Sequence, residues 1–338
     1  MRPFEYAIAR SPRAAIAAFG AAPPDAAAAG GSEYLAGGTT LLDLMKLDVM
    51  RPGRVVNINP LQESAGRISA GPRVLRLGAM ARMSEAASHP AVRQDYPVIA
   101  QALELAASPQ IRNMASLAGN VLQRTRCTYF RDTSYPNCNK RAPGSGCAAI
   151  GGVNRQHAIL GASEHCIATY PGDFAQALIA LDAEVEISSP SGVRRFPVSK
   201  LHRPPGETPH IETTLAPGEL ITAFEIAATP LAQRSLYLKI RDRESYEFAL
   251  ASAAVALDLR GDTVADCRIA LGGVATIPWR AREAEARLKG RRMDETAANA
   301  AADAAFAEAR PQLENGFKIE LGKRTLVRAL LQAATLEG

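Results

Sequence analysis

Short runs of alternating apolar and polar residues are interspersed with runs of helical spacing along the first part of this chain. Apolar positions at helical spacing predict a helix over 12–21. Residues 33–59, EYLAGGTTLLDLMKLDVMRPGRVVNIN, predict a strand, a glycine turn, a helix and a second strand. Another strand is predicted in PRVLRLGAM, residues 72–80. A long helical region follows over 83–107, and we expect Pro90 to interrupt it.

The second half of the chain changes from short strands to long ones. Residues 173–198 predict a helix and two strands, which are joined by a turn at Pro190-Ser191-Gly192. From about residue 229 the pattern predicts long strands with a hairpin at Gly261-Asp262. Three alanine-rich or amphipathic helices are then expected near 281–289, 293–309 and 319–336.

Together these elements predict an α+β protein, and no internal repeat is visible. The length of 338 residues exceeds one typical hydrophobic core, which favours several domains. We predict three domains, with the ranges 1–57, 58–228 and 229–338. The second range contains an irregular insertion at about 124–168.

The composition is that of a globular protein and excludes some functions. The net charge of +5, from 39 basic and 34 acidic residues, is too small and too scattered to indicate nucleic-acid binding. No apolar run approaches the roughly 20 residues of a membrane span, so membrane insertion is not expected. Glu5, Arg10 and Arg13 interrupt the apolar core that a signal peptide needs. We therefore expect no signal peptide, and a location in the cytoplasm or, by export with a signal-bearing partner, in the periplasm.

Four of the five cysteines crowd into one segment that is rich in proline, glycine and asparagine. They are separated by 10, 8 and 18 residues and lack the CxxC pair of small zinc ribbons: Cys127, Cys138, Cys147 and Cys166. A long irregular loop inside a compact protein is uncommon and is usually functional or disordered. Four thiolates that hold one metal centre would order it. Cys267 starts an apolar strand and is expected to be a buried, inert thiol.

The residues alone leave the nature of that centre open. Four thiolates suit an iron-sulfur cluster or zinc, and four cysteines could also form disulfides or stay free. Wide, irregular spacing favours a [4Fe-4S] cubane, whose irons lie at separate corners. Basic side chains among the ligands would stabilise an anionic cluster or simply cover a solvated loop: Arg124, Arg126, Arg131, Lys140 and Arg141.

Two glycine-containing segments are candidates for holding a phosphate. Gly37-Gly38-Thr39 lies between a predicted strand and a predicted helix, where backbone N–H groups can turn toward an anion. SLAGN, residues 116–120, also follows a predicted helix, and two such loops would grip one pyrophosphate from both sides. The chain has neither GxGxxG nor GxxxxGK[ST], which excludes a Rossmann motif and a P-loop. Taken alone, the first segment is better explained by an ordinary turn, and Ser116 and Asn120 could simply cap a turn.

In their order along the chain, these segments resemble the FAD-binding subunits of molybdenum hydroxylases of the xanthine oxidase family. The resemblance is carried by YLAGGTTLLDLMK, QIRNMASLAGNVLQRTRC, YPGDFAQALIALDAEVE and ALGGVATIPWRA, and it runs almost end to end. The insertion with CNKRAPGSGCAA is most similar to the medium subunit of periplasmic-type bacterial aldehyde oxidoreductases, and 4-hydroxybenzoyl-CoA reductase has a similar one. The resemblance implies a two-subdomain FAD-binding fold of the vanillyl-alcohol-oxidase/CO-dehydrogenase-flavoprotein type and a C-terminal CO-dehydrogenase-flavoprotein-like domain. It also implies that the four clustered cysteines bind a [4Fe-4S] cluster.

The resemblance assigns two FAD-binding loops by position. The first loop would cradle the pyrophosphate and falls on Tyr34, Leu35, Ala36, Gly37, Gly38, Thr39, Thr40 and Leu41. The second falls on Ser116, Gly119 and Asn120. Ala118 stands there in place of a family glycine, which matters little if its methyl group points away from the phosphates.

Three further FAD-binding residues follow from the same resemblance. The family's Ser-Asp pair matches Gly172-Asp173, so the acid that contacts the adenosine part is kept while the serine is replaced. An N-cap of the following helix is the alternative role for Asp173. Ile221 is expected to line the flavin and Lys239 to lie near it.

The sequence shows no Ser-His-Asp set, HExxH motif or acid pair, so we expect no catalytic residue in this chain. The resemblance implies that aldehydes are oxidised to carboxylic acids at a molybdenum cofactor in a large partner subunit. Electrons would pass through two [2Fe-2S] clusters of a small subunit to FAD here, and then to an external acceptor, within a heterotrimer. Two alternatives stay open: inward electron flow, as in 4-hydroxybenzoyl-CoA reductase, and a non-redox scaffold that binds zinc.

Overall fold

Helices and strands are mixed along the chain, and the predicted α+β fold is confirmed. The computed structural model describes residues 1–20 and 30–336. Within these ranges the strands form a parallel sheet and two antiparallel sheets. Among the described helices, none combines the length and the apolar character that crossing a membrane requires.

The first sheet is parallel, in the order β1-β3-β2, and is covered on both faces. Its strands are Glu5–Ile8 (β1), Ser32–Leu35 (β2) and Arg54–Asn57 (β3). Side chains alternate along a strand, so the buried Val55 and Val56 face opposite sides of the sheet. Val56 packs in a cluster with helix Pro12–Gly20, and Val55 in a cluster with helix Leu41–Lys46.

The second sheet is antiparallel, in the order β4-β5-β8-β6-β7. Its strands are Ile68–Ala70 (β4), Val74–Gly78 (β5), Glu184–Ser189 (β6), Gly192–Pro197 (β7) and Leu220–Ala227 (β8). Short 3₁₀ turns at Asn59–Leu61 and Val198–Lys200 accompany it. The predicted turn at residues 190–192 joins β6 to β7.

Proline positions set the helix boundaries in this middle part of the chain. The region predicted as helical over 83–107 is divided twice, because Pro90 and Pro97 each occupy the first turn of a new helix. The second of these breaks was not predicted. The helices of this part are Gln62–Ala65, Met83–Ser88, Pro90–Asp95, Pro97–Glu104, Pro109–Met114, Leu117–Val121, Thr128–Arg131 and Phe174–Ala180.

The third sheet is antiparallel, in the order β12-β11-β10-β9. Its strands are Ser235–Ile240 (β9), Ala251–Arg260 (β10), Thr263–Gly272 (β11) and Trp279–Arg280 (β12). Gly261, with φ +58°, makes the predicted hairpin turn between β10 and β11. Helices Pro230–Gln233, Arg282–Leu288, Glu295–Ala305 and Phe317–Ala334 complete this part.

Buried contacts cross the domain boundary that we predicted at residue 228. Leu103 of the middle helices shares one apolar cluster with Tyr237 of β9, Ala254 of β10 and Ala270 of β11. The three sheets lie inside the three predicted ranges, and the boundaries themselves remain predictions.

The last helix holds the cysteine-rich insertion through a buried lysine. Lys318 is fully buried, and burial, together with the charge of Arg155, lowers its pKa to about 7. Its Nζ donates to three backbone carbonyls at 3.0, 3.1 and 2.7 Å, those of Gln156, His157 and Gly273. One side chain therefore joins the insertion to the end of β11 and to helix Phe317–Ala334.

Candidate functional site

A cleft of about 490 Å³ lies between the first and second sheets, within the size range of small-molecule and cofactor sites. Most of the residues that the resemblance assigned to FAD line it: Tyr34, Ala36, Gly37, Gly38, Thr39, Thr40, Leu41, Ser116, Gly119 and Ile221. The structure thus brings both predicted loops and the predicted flavin-lining residue to one cavity.

The first loop supplies free backbone donors at the cleft. In the described part of the chain, the N–H groups of residues 37–41 have no hydrogen-bond acceptor. Leu42 N then donates to Gly38 O at 3.0 Å and starts the helix. Gly38 has φ +74°, a left-handed conformation that glycine adopts without strain. Free N–H groups ahead of a helix form a site that suits a phosphate.

Gly37 allows the two predicted loops to touch. A Cβ at this position would overlap the carbonyl oxygen of Met114 and lie 3.1 Å from the Cα of Ala115. Arg82 donates to the same carbonyl at 2.6 Å. The first loop therefore packs directly on the backbone that leads into Ser116, and a side chain at position 37 would push the two segments apart.

The second segment is the start of a helix, and our prediction that it exposes N–H donors is wrong. Its helix spans Leu117–Val121, and the Ser116 hydroxyl caps it by accepting from Gly119 N at 3.2 Å. The N–H groups of residues 117 and 118 donate at 3.0 Å to carbonyls within 79–81. Because these N–H groups already donate to protein acceptors, they are not free to bind a phosphate. The segment instead shapes the wall of the cleft.

Four residues assigned to FAD lie outside the cleft lining: Leu35, Asn120, Asp173 and Lys239. Leu35 packs in the apolar cluster of Leu41 and Val55, on the face of the sheet toward helix Leu41–Lys46. Asn120 is buried, and its Nδ2 faces the Sδ of Met83 at 3.5 Å. Ala118, in contrast, lines the cleft, and that its methyl group points away from a bound phosphate stays a prediction.

Asp173 and Lys239 form a buried ion pair behind the cleft. Lys239 Nζ lies 2.8 Å from Asp173 Oδ2, with side-chain exposures of 1% and 5%. Tyr237 Oη donates to Asp173 Oδ1 at 2.5 Å, and Lys239 Nζ also donates to Leu105 O at 3.1 Å. The Asp173 side chain makes no N-cap bond, so the capping role is wrong, and contact with the adenosine part of FAD stays a prediction. The pair instead ties helix Phe174–Ala180 to β9.

Charged residues that we had not assigned to the cleft also line it. Glu212 lies 2.6 Å from Arg124 and 2.7 Å from Lys140. Burial alone would raise the pKa of Glu212, but Arg124 and Lys140 outweigh that effect and hold it below its usual value. We had considered both basic residues only as neighbours of the cysteines. No local pattern marks Glu212, which sits 88 and 72 residues from its partners.

Tyr170 explains one departure from the family pattern. Its Oη donates to Val121 O at 2.9 Å, and its ring packs edge-on against His202 at 4.7 Å. A Cβ at Gly172 would lie 2.5 Å from that Oη. Gly172 stands where the resemblance expects a serine, and the Tyr170 ring occupies the space that a side chain there would need.

Glu33 lines the cleft, and burial raises its pKa to about 7, with Arg124 opposing the rise. The carboxyl group is therefore neutral below this pH and negative above it. Two unit charges a few Å apart in water repel by about 1 kcal/mol, so FAD affinity should fall about fivefold from about pH 6 to about pH 8. Fluorescence titration of the apoprotein with FAD measures this change.

Glu33→Gln should abolish that pH dependence, and the exposed Glu63→Gln should keep it. An affinity that is equally pH-dependent in Glu33→Gln would assign the effect to another group.

The four clustered cysteines of the insertion converge in space. Cys138 and Cys147 pair across an isolated antiparallel bridge. Burial raises the pKa of Cys127 to about 12, and the charges of Cys138 and Cys166 add to this rise. Burial likewise raises the pKa of Cys166 to about 11, with Lys140 opposing and with Cys147 and Cys138 adding to it. Cys127 also packs in one apolar cluster with Cys138 and in another beside Cys147.

Cys267 lies apart from this cluster, inside the C-terminal part of the chain. It is buried as predicted, and its Sγ lies 3.7 Å from Glu285 O. Burial raises its pKa to about 12. Among the described residues all five cysteines are free thiols.

A small cavity of about 60 Å³ lies beside Cys127 and His157. Its wall is shared with the large cleft, since the same residues line both: Thr125, Thr169, Tyr170 and Pro171. Only one layer of residues thus separates the cleft from the cavity beside Cys127.

Comparisons with known proteins agree with this arrangement. The family described as FAD binding domain in molybdopterin dehydrogenase matches residues 2–228, and the CO dehydrogenase flavoprotein C-terminal domain matches residues 236–337. The aldehyde oxidoreductase FAD-binding subunit PaoB of Escherichia coli strain K12 is 48% identical over 90% of this chain and 92% of its own length. The carbon monoxide dehydrogenase medium chain of Hydrogenophaga pseudoflava is 28% identical over 91% of this chain and 88% of its own.

A solved structure supports the fold directly. A carbon monoxide dehydrogenase from Hydrogenophaga pseudoflava, in a form that lacks the Mo-pyranopterin moiety of the molybdenum cofactor, aligns with a TM-score of 0.74 at 27% identity. The alignment covers 99% of this chain and 98% of the other. The CO-dehydrogenase-flavoprotein type of fold that we predicted is thereby confirmed. The chain belongs to the family of FAD-binding medium subunits of the molybdenum hydroxylases, which are oxidoreductases.

Proposed function

We propose that this chain is the FAD- and [4Fe-4S]-carrying subunit of a molybdenum-containing aldehyde oxidoreductase. The observation that carries the proposal is the packing of the clustered cysteines near a cleft with free phosphate-binding donors, with one layer of residues between the cleft and the cavity beside Cys127. The relative at 48% identity is named as an aldehyde oxidoreductase subunit, which favours aldehydes as the substrates of the complex.

The cleft fits the dinucleotide cofactor part by part. The N–H groups of residues 37–41 would bind the pyrophosphate. Gly38 allows the left-handed turn of this loop, and Gly37 allows the loop to pack on the Met114 backbone. Ile221, which is 3% exposed, would offer an apolar surface to the flavin. Bound FAD supplies redox chemistry that no side chain of the protein has, while the protein binds and orients it.

The four clustered cysteines would suit a cubane. Among the described residues, no three His, Cys, Asp or Glu side chains are placed to hold a single metal ion. A [4Fe-4S] cluster needs a different arrangement, because each of its irons takes one thiolate. Cys127, Cys138, Cys147 and Cys166 would supply these four thiolates. Lys140 acts on Cys166 and also lines the cleft, so its charge would stabilise the anionic cluster from the side of the flavin.

The remaining components of the reaction would lie in partner subunits. We propose a large subunit with the molybdenum cofactor and a small subunit with two [2Fe-2S] clusters, which together with this chain form a heterotrimer. Electrons from aldehyde oxidation would enter through the small subunit and leave to an external acceptor. The name "medium chain" of a relative supports assembly with other subunits.

The test is rapid mixing of aldehydes with the co-purified complex and with this chain alone. Aldehydes should bleach the flavin absorbance of the complex and leave the lone chain unchanged, because the lone chain carries no substrate chemistry. Dithionite should reduce the lone chain, which should then reduce an artificial acceptor.

Two outcomes would contradict the proposal. Aldehyde-driven reduction of the lone chain would reveal an active site within it. A complex that reduces CoA thioesters and ignores aldehydes would show that electrons flow inward.

A further inference from the structure

A histidine in the insertion contacts one of the clustered cysteines. His157 Nε2 lies 3.1 Å from Cys127 Sγ, a distance within hydrogen-bonding range for sulfur. The histidine is 6% exposed and lies between Cys147 and Cys166 in the sequence. It was absent from the residues that we predicted for the site.

Both backbone polar groups of His157 are hydrogen-bonded. Its carbonyl oxygen accepts from Lys318 Nζ at 3.1 Å and from Asn315 Nδ2 at 3.3 Å. Its N–H donates to Asn154 O at 2.9 Å. The ring is therefore fixed beside Cys127 by bonds that reach into the last helix, and it does not depend on a metal centre for its place.

The direction of the hydrogen bond follows from the chemistry of the two groups. A thiolate that binds iron carries no proton, so the hydrogen of this contact must come from Nε2. The other ring nitrogen, Nδ1, is buried and has no partner among the described residues. Because no described residue accepts a hydrogen bond from Nδ1, the tautomer with the proton on Nε2 is favoured.

We propose that His157 donates an N–H···S hydrogen bond to the Cys127 thiolate and thereby raises the reduction potential of the cluster, a role that rests on the proposed [4Fe-4S] centre. Hydrogen bonds to ligating sulfur set the potential of iron-sulfur clusters, since the donor draws electron density from the sulfur. The reduced cluster has one more negative charge and gains more from this bond than the oxidised cluster does. His157 is then a positioning and tuning residue, and the four cysteines remain the ligands.

The experiment compares His157→Leu and His157→Gln with the unmodified protein in the intact complex. Iron and sulfide analysis should find a full cluster in both variants. Redox titration followed by electron paramagnetic resonance should show a lower cluster potential in His157→Leu, by about tenfold in the one-electron equilibrium constant, or about 59 mV. His157→Gln should recover part of the loss, because its amide N–H can donate to the sulfur. The flavin potential should not change.

His165→Leu serves as the matched control, since it alters an exposed histidine of the same insertion and should leave the cluster potential unchanged. An unchanged cluster potential in His157→Leu would overturn the proposal. So would loss of iron in both His157 variants while Cys127→Ser keeps its cluster, because His157 would then be the ligand. If the unmodified complex has no cluster, the proposed function itself fails, which the iron analysis of that sample shows separately.

Discussion

Cys138→Ser should remove the proposed [4Fe-4S] cluster from this chain. A neutral serine hydroxyl is a poor substitute for a thiolate, and the loss of one ligand exposes an iron to solvent. Cys138 also pairs with Cys147 and packs against Leu44 and Phe130, so the insertion should loosen as well. The iron and sulfide contents should fall from about four of each per chain to a small fraction of that amount, and the broad visible absorbance should be lost.

Cys267→Ser is the matched control, because Cys267 is equally buried and lies in a different apolar cluster. Iron and sulfide should be unchanged in this variant. A full complement of iron in Cys138→Ser would remove Cys138 from the ligand set.

Lys239→Met should destabilise the fold by about 3–5 kcal/mol, the usual effect of leaving one charge of a buried ion pair without its partner. Asp173 would retain only the hydroxyl of Tyr237 among its present partners. Leu105 O would keep its second donor, Arg241, at 3.2 Å. Denaturant unfolding of the FAD-free protein measures this loss without a contribution from the cofactor.

The exposed pair Arg93–Glu104 provides the comparison, with side-chain exposures of 59% and 44%. Arg93→Ala should cost at most about 1 kcal/mol, as solvent-exposed pairs usually do. The double variant Lys239→Met/Asp173→Asn should be more stable than Lys239→Met alone, because it leaves no unpaired buried charge. If Lys239→Met unfolds like the unmodified protein but binds FAD poorly, Lys239 acts on the flavin as the family resemblance implies.

Local sequence patterns predicted most of the fold. Turn residues such as Gly261 and helix-starting prolines such as Pro90 act on their immediate neighbours, so their effect is visible in a short segment. The strand β1 was missed because its four residues, EYAI, are too short for an alternating pattern to show. The break at Pro97 was missed because the apolar spacing of the helices continues across it.

The candidate site was predictable only where its residues are consecutive. The loop at residues 37–41 was predictable from its own sequence, because its glycines are followed directly by a predicted helix. The pair of Asp173 and Lys239 spans 66 residues, and no pattern in either segment indicates that they meet. Glu33 and Glu212 were missed for the same reason, because each acquires its role only when distant elements close the cleft.

For the SLAGN segment, the predicted location at the cleft was correct and the predicted loop structure was wrong. Its glycine and its small polar residues suggested an open loop, and the structure places it at the cleft as expected. Its first amides, however, bond to residues 79–81, which lie far from it in the sequence. Ser116 caps this helix locally, while the contact of its first N–H groups with residues 79–81 cannot be read from the segment alone.

The three carbonyls that Lys318 holds make the cysteine insertion a poor candidate for transplantation. A segment cut at residues 124 and 168 and grafted onto another flavoprotein would leave behind the lysine that shapes its second half. The graft recipient would need a long terminal helix that delivers an ammonium group to the same point. The proposed metal-binding loop and the last helix therefore form one structural unit, although Lys318 is 162 and 161 residues away from the two carbonyls that it bonds in the insertion.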